Sequence, residues 1–271
     1  MEPRALVIIA ILGACIGSFL NVLVWRLPRN ESLIWPSSHC TKCGATIRWH
    51  DNIPMISWLL LSGRCRDCDN AIPFRYPSVE ALSSGLWISA VFANPFGFEQ
   101  TQNSFNIASG FALASILLSL TLIDIDHMSL PEPICRWGLI LGLASTSIFA
   151  INLGWNLGAP LVLNHLIAAS ASLLTLEWLS KLAEQLLGQP ALGLGDAKLA
   201  ALGGAWLGLP GIVIAMALAV ATAAIFGLAG RLTGQLQARQ AFPFAPFISI
   251  GIWSVWFFGF NWWWEQWLNI I

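Results

Sequence analysis

Two short stretches of this 271-residue chain carry carboxylates at the edges of apolar runs. Leu122-Ile123-Asp124-Ile125-Asp126-His127 closes one run, and Gly193-Leu194-Gly195-Asp196-Ala197-Lys198 opens another. An ionisable group at the edge of a membrane span is costly to desolvate and by default marks a functional site. Two carboxylates held close share one proton: one then acts as base toward a water and the other as acid toward a carbonyl oxygen, a chemistry that hydrolyses a peptide bond with no covalent intermediate. Glycine on either side of Leu194 removes side-chain bulk just before Asp196, which leaves room for an extended peptide. Two other readings stay open on these stretches alone: a proton or ion relay, and acids that only snorkel at a span end.

A second constellation lies nearer the start. Cys40-Thr41-Lys42-Cys43 and Cys65-Arg66-Asp67-Cys68 are separated by 21 residues. Four thiolates on two tight turns suit a tetrahedral, closed and therefore structural zinc site; two disulfides are the alternative, disfavoured in a reducing compartment. His39 and His50 are substitute ligands for which four cysteines leave no vacancy. Cys15 and Cys135 stand alone beside apolar runs and read as packing residues.

The elements that must position these groups are membrane spans. Hydrophobic residues make up 56% of the chain and charged ones 10%, which excludes an ordinary soluble globule. Eight apolar segments, roughly 5–25, 78–94, 105–123, 137–152, 161–179, 196–209, 211–229 and 244–264, fit spans of about 20 residues or somewhat fewer. The first reads as a retained span, since no small-residue cleavage site follows it. Its Gly17-Ser18-Phe19-Leu20-Asn21 suits a close helix-packing face.

Arg26, Arg29, Lys42, Arg48, Arg64, Arg66 and Arg75, seven of the thirteen Lys and Arg residues, fall between the first two segments. Basic residues alternate from one connection to the next, with none in 95–104, which sets both termini outside and every basic connection in the cytoplasm. Asp124 and Asp196 then share the cytoplasmic face. The expected architecture is an all-α polytopic membrane protein of about eight spans, divided into a first helix (1–25), a cytoplasmic Cys₄ zinc domain (26–77) and a seven-helix membrane domain (78–271). His165 reads as a hydrogen-bonded interior group, and Trp262, Trp263, Trp264 and Trp267 as an interfacial anchor. No nucleic-acid signature and no glycine-rich nucleotide motif is present.

Taken as a set, several motifs resemble the type IV prepilin peptidases. They are Gly17-Ser18-Phe19-Leu20-Asn21 with Arg26-Leu27-Pro28, and the two cysteine pairs flanking Arg48-Trp49-His50-Asp51-Asn52-Ile53-Pro54. They continue with Arg75-Tyr76-Pro77 and Glu80, Asp124 seven residues before Pro131, the Gly-x-Gly-Asp stretch ending at Lys198, and Phe244-Ala245-Pro246-Phe247. The resemblance implies a bifunctional bacterial inner-membrane aspartyl protease. Such an enzyme cuts the basic leader from type IV prepilins or type II secretion pseudopilins, then methylates the new N-terminus with S-adenosylmethionine. It implies Asp124 and Asp196 as the catalytic aspartates, Cys40, Cys43, Cys65 and Cys68 as zinc ligands, and a lipid bilayer and a pilin-type substrate as partners. Three positions depart from the family's usual pattern: Pro190 in place of an acid, Glu132 in place of aspartate, and Ala245 in place of glycine. The rival class is a non-enzymatic transporter or secretion-assembly component with proton-relay acids.

Overall fold

Apolar runs bounded by proline and glycine become helices throughout the chain, in a computed structural model that describes residues 2–93, 95, 104–187, 193–235, 237, 240 and 242–268. The α-helices are α1 (Pro3–Arg26), α2 (Ile56–Leu60), α3 (Arg75–Phe92), α4 (Ser104–His127), α5 (Glu132–Leu153), α6 (Trp155–Leu187), α7 (Leu194–Leu232), α8 (Ala245–Phe258) and α9 (Phe260–Leu268). Among the described residues there is no named strand, only the isolated bridges His39↔Thr46 and Arg64↔Ala71. Residues 96–103 of the connection that lacks basic residues, Pro190, Arg239 and the side chain of Trp267 lie outside the description.

Among the described residues five helices, α1, α4, α5, α6 and α7, are long and apolar enough to cross a membrane, which makes this a multi-pass membrane protein. The expected count of eight is not reached on that criterion. Segment 78–94 falls in α3, whose Arg75 and Glu80 lower its hydropathy. Segment 244–264 is divided between α8, 14 residues long, and α9, with Gly259 at φ 79° between them. Segments 196–209 and 211–229 both fall in the 39-residue α7, which is broken at Gly208 (φ 69°, ψ 177°) just before Pro210. In a straight helix residues 203 and 212 would stand about 13.5 Å apart, yet the Ile212 side chain reaches Gly203. The chain therefore folds back at Gly208, where only glycine adopts the required φ without strain.

The chain divides into two compact units, one made of 1–92 with 110–119 and the other of 93–109 with 120–271. In the first unit α1 lies against α3 because glycines on α1 leave no side chain between the backbones: a Cβ on Gly17 would stand 2.7 Å from the Glu80 Cα. Ser83 and Ser84 of α3 donate to the carbonyls of Gly13 and Ala10, at 2.7 and 2.9 Å. This is the packing face expected of the first segment. Trp87 of α3 stacks on Phe111 and donates to the Ser115 hydroxyl at 3.1 Å.

In the second unit α5, α6, α7 and α8 form the core. Gly204 of α7 lies on the backbone of Ala168, Gly251 of α8 on the Ala215 carbonyl, and Gly142 of α5 under the ring of Trp206. The backbone groups freed by the break at Gly208 find partners on neighbouring helices. Asn164 Oδ1 accepts the Leu209 N–H at 2.7 Å, and the Ala205 carbonyl lies 3.0 Å from His165 Nδ1 and 3.4 Å from Thr146 Oγ1. His165 is thus a hydrogen-bonded interior group whose partners belong to the break.

Candidate active site and cysteine centre

Each acidic stretch ends up at a helix terminus. Asp124 is in the last turn of α4 and only 5% exposed. Its Oδ2 accepts the N–H of Ala245 at 3.0 Å. Ala245 opens α8, and the first N–H groups of a helix have no partner within it. Pro246, next in line, has no N–H at all, so the buried Ala245 N–H is the donor presented to the carboxylate. Alanine in place of glycine leaves this contact intact, because only the main chain takes part.

Asp196 occupies the first turn of α7, three residues after the N-cap Gly193, and its N–H bonds the Gly193 carbonyl at 3.1 Å. Both aspartates belong to the second unit, and the connection that follows Asp124 reaches the Asp196 stretch, Leu130 packing on Gly195 and Glu132 pairing with Lys198. The helix of α4 persists through Asp126 to His127, so the Asp124 and Asp126 side chains leave the axis about 200° apart. Asp124 is accordingly buried and Asp126 exposed.

The space left by the glycines is only partly open. A Cβ on Gly195 would stand 3.0 Å from that of Leu130, so this glycine admits a neighbouring side chain; a Cβ on Gly193 would stand 3.6 Å from the Asp196 carboxylate itself. Glu132, the residue that departs from the family's aspartate, pairs with Lys198 of the second acidic stretch at 3.2 Å.

The four cysteines converge. Their Sγ atoms all lie within 4.8 Å of one another, with Cys40 and Cys68 at 3.8 Å. Four sulfurs about 2.3 Å from one tetrahedral zinc stand roughly 3.8 Å apart, whereas a disulfide holds its sulfurs at about 2.05 Å. All six cysteines are free thiols.

The two cysteine turns repeat each other bond for bond. Cys40 N–H donates to the Ala45 carbonyl and Gly44 N–H to the Cys40 carbonyl; Cys65 N–H donates to the Asn70 carbonyl and Asp69 N–H to the Cys65 carbonyl. Gly44 (φ 72°) and Asp69 (φ 57°) hold the same left-handed place four residues after the first cysteine, and each turn is closed by one bridge. Such turns aim main-chain N–H groups at sulfur. Those of Cys43 and Lys42 pull the Cys40 thiol down to about 6. At Cys68 the Asn70 N–H also lowers the thiol, but burial and the three neighbouring sulfurs outweigh it and drive it up to about 12. Four thiols so close ionise together only around a cation.

The first unit also contains a cavity of about 250 Å³ bordered by α1, the cysteine turns, α2 and the start of α3. Glu80 faces it from α3, is 7% exposed and accepts the Met55 N–H at 2.7 Å. Beside the cavity Arg66 grips Asp51 through two bonds of 2.7 and 2.6 Å, and this guanidinium holds the Asp51 carboxyl below the usual carboxylate range. Arg26, 6% exposed, donates to the Ser32 and Ser37 carbonyls at 3.0 and 3.5 Å. Nothing in the local sequence indicated the Ala245 contact to Asp124 or the burial of Glu80. The one available signal for the former was Pro246, which marks a helix start with an unfilled N–H just before it.

Fold and site together define a multi-pass helical membrane protein with an aspartate pair at helix ends and a four-cysteine centre. Two family profiles match it: the bacterial peptidase A24 N-terminal domain over residues 11–94, and the type IV leader peptidase family over residues 111–228. A prepilin leader peptidase/N-methyltransferase of Myxococcus xanthus is 34% identical over 215 residues, covering 78% of this chain and 60% of that protein. A type 4 prepilin-like proteins leader peptide-processing enzyme of Escherichia coli O78:H11 is 33% identical, covering 92% of this chain and 93% of that one. A prepilin leader peptidase/N-methyltransferase of Neisseria gonorrhoeae is 31% identical, covering 97% and 96%. The chain belongs to the type IV leader peptidase family. No solved structure matches it.

Proposed function

We propose that this chain cleaves the leader peptide of type IV prepilins, or of the related pseudopilins, and then N-methylates the new N-terminus. Asp124 and Asp196 are the catalytic pair. One carboxylate takes a proton from a water as it attacks the scissile carbonyl while the other, protonated, donates to the carbonyl oxygen; collapse of the tetrahedral intermediate expels the amine, which takes up a proton. The observation that carries this assignment is the pair of helix-end carboxylates, Asp124 buried and oriented by the Ala245 N–H, with the connection after it packed on the Asp196 stretch through Leu130–Gly195 and Glu132–Lys198.

Cys40, Cys43, Cys65 and Cys68 would hold one zinc, for which their spacing and number fit. With all four positions filled by sulfur, the ion serves to tie the two turns together. S-adenosylmethionine, as the methyl donor, supplies the electrophilic methyl group. The enzyme resides in the bacterial inner membrane with the cysteine domain (26–77) and both aspartates at the cytoplasmic face and both termini outside, the first helix (1–25) and the membrane domain (78–271) flanking the cysteine domain.

Detergent-solubilised protein incubated with a purified prepilin tests the reading. A leader-sized mass loss that disappears in Asp124→Asn and in Asp196→Asn is the expected result, with a further 14 Da gained when S-adenosylmethionine is supplied. Binding of the prepilin without cleavage by the unmodified protein refutes the peptidase assignment.

A further inference from the structure

A loop enters lipid at low cost only when its side chains are apolar and its main-chain donors already have partners. The loop that follows α1 is built this way. Leu33-Ile34-Trp35-Pro36 is an apolar run in which Ile34 is 91% and Trp35 77% exposed. The Ser32 hydroxyl accepts the N–H groups of both, at 3.3 and 3.2 Å, and Pro36 has no N–H to satisfy. Both ends of the loop close on one side chain, because the buried Arg26 spends its guanidinium on the carbonyls of Ser32 and Ser37. The loop's place along α1 points the same way. A groove of about 340 Å³ has Cys15, Phe19 and Val22 of α1 on one wall and Leu33, Ile34 and Pro36 on the other. The loop thus turns back beside the last turns of a membrane-spanning helix instead of leading away from its end. Trp25 and Arg29, whose guanidinium lies 3.8 Å from the centre of the Trp25 ring, mark the level at which indoles and arginines settle among lipid headgroups. Val22 and Phe19 precede Trp25 by three and six residues, which places them about 4.5–9 Å further toward the hydrocarbon.

We propose that the 32–37 loop is a wedge inserted into the bilayer, with Ile34 and Trp35 among the acyl chains of the leaflet at the Arg26 end of α1. Its partner is lipid hydrocarbon just beneath the headgroups, the depth at which the apolar faces of interfacial segments rest. Trp49, in the same domain, supplies the contrast. It is 82% exposed, but it stands between Arg48 and the His50-Asp51 pair, groups that are costly to take out of water. Exposure alone therefore does not distinguish the two indoles; their surroundings do. The wedge gives the cysteine domain a second hold on the membrane. α1 tethers the domain at one end, and the loop, pinned to α1 through Arg26, keeps it from swinging about that tether.

The test uses the unmodified full-length protein in nanodiscs of phosphatidylcholine and phosphatidylglycerol, a fraction of whose acyl chains carry a diazirine near the carbonyl end. After irradiation, peptide mapping should find lipid adducts on Ile34 or Trp35, as on Val7, Ile8 and Ile11, exposed residues of α1 that serve as the positive reference. Hydroxyl-radical footprinting of the same discs should oxidise Trp35 at least about fivefold less than Trp49, although the protein itself leaves the two almost equally exposed. Neither readout requires catalysis, so the result is independent of the peptidase and methyltransferase assignments. Adducts on the α1 residues with none on 33–36 overturn the proposal, as does equal oxidation of the two indoles. Protection of Trp35 that appears only when a prepilin is added also overturns it and marks a substrate surface. Protection that appears only when two copies share a disc overturns it in favour of a contact between chains.

Discussion

Changing Asp124 to asparagine separates the chemical from the structural duty of this side chain. The carboxylate is 5% exposed and accepts the N–H of a fully buried residue, Ala245, at 3.0 Å. Asparagine has the same shape and keeps an oxygen for that N–H. What it loses is the charge, so a charge-assisted bond worth about 1.5–3 kcal/mol becomes a neutral one of about 0.5–1.5 kcal/mol. Burying a neutral amide in place of a charge recovers part of that difference, and the net loss of stability is about 1 kcal/mol or less. The catalytic loss is far larger. A positioned acid or base contributes about 10²–10⁴ in rate, or roughly 3–5 kcal/mol of barrier, and a neutral amide can neither take nor give the shared proton. Asp124→Ala differs in one respect, since it strands the buried Ala245 N–H at a cost of about 1–3 kcal/mol. The assay follows prepilin cleavage by mass alongside the thermal midpoint of each purified variant. Both variants should be inactive, with Asp124→Asn close to the unmodified protein in stability and Asp124→Ala clearly below it. Asp126→Asn should retain substantial turnover, because that side chain leaves α4 on the opposite side. Near-normal cleavage by Asp124→Asn with a dead Asp126→Asn would refute the assignment, and equal stability of the Asn and Ala variants would refute the role given to the Ala245 bond.

Three further outcomes are expected. Purified protein should contain about one zinc per chain, and Cys43→Ser should lower both metal content and stability, as binding energy at such a site is in part folding energy; full retention of zinc would count against the four-sulfur centre. Asp51, whose carboxyl is held low by Arg66, contributes stability that is fully present above its unfolded value near 3.9 and is lost as the pH falls through the lower folded value. Thermal midpoints should therefore drop less on acidification below about pH 4 in Asp51→Asn than in the unmodified protein; identical acid profiles would show the pair to be idle. Gly142→Ala places a methyl 2.6 Å from the Trp206 ring, which is held in place by a 2.9 Å bond to the Gly138 carbonyl, and should cost about 1–3 kcal/mol in a reversible unfolding measurement.

The cysteine centre was legible because it is local: each Cys-x-x-Cys pair announces its own turn, and only the meeting of the two turns is long-range. Asp124 and Asp196 stood out as candidates because charge is conspicuous in an apolar chain. What the sequence concealed depends on contacts between distant segments. The partner of Asp124 is 121 residues away and is a main-chain N–H, a group every residue but proline possesses. Gly195 read as room for a substrate, whereas Leu130 occupies that room. Span counting faltered for a related reason. Length and apolarity alone make 194–232 one helix, whereas the sequence had parted it into 196–209 and 211–229, next to the break at Gly208; nor does hydropathy credit α3, whose Glu80 is buried despite its charge.

The break at Gly208 also bears on how the chain is built. Its first half, 194–207, is about 21 Å long, short of the roughly 30 Å of a hydrocarbon core. The backbone groups released at the break are costly to leave bare in lipid. Their partners, Thr146 on α5 and Asn164 and His165 on α6, all precede the break in the sequence. During synthesis from the N-terminus, the helices that receive the broken backbone leave the ribosome first, so the fold-back of α7 enters a membrane where its hydrogen-bond partners already wait.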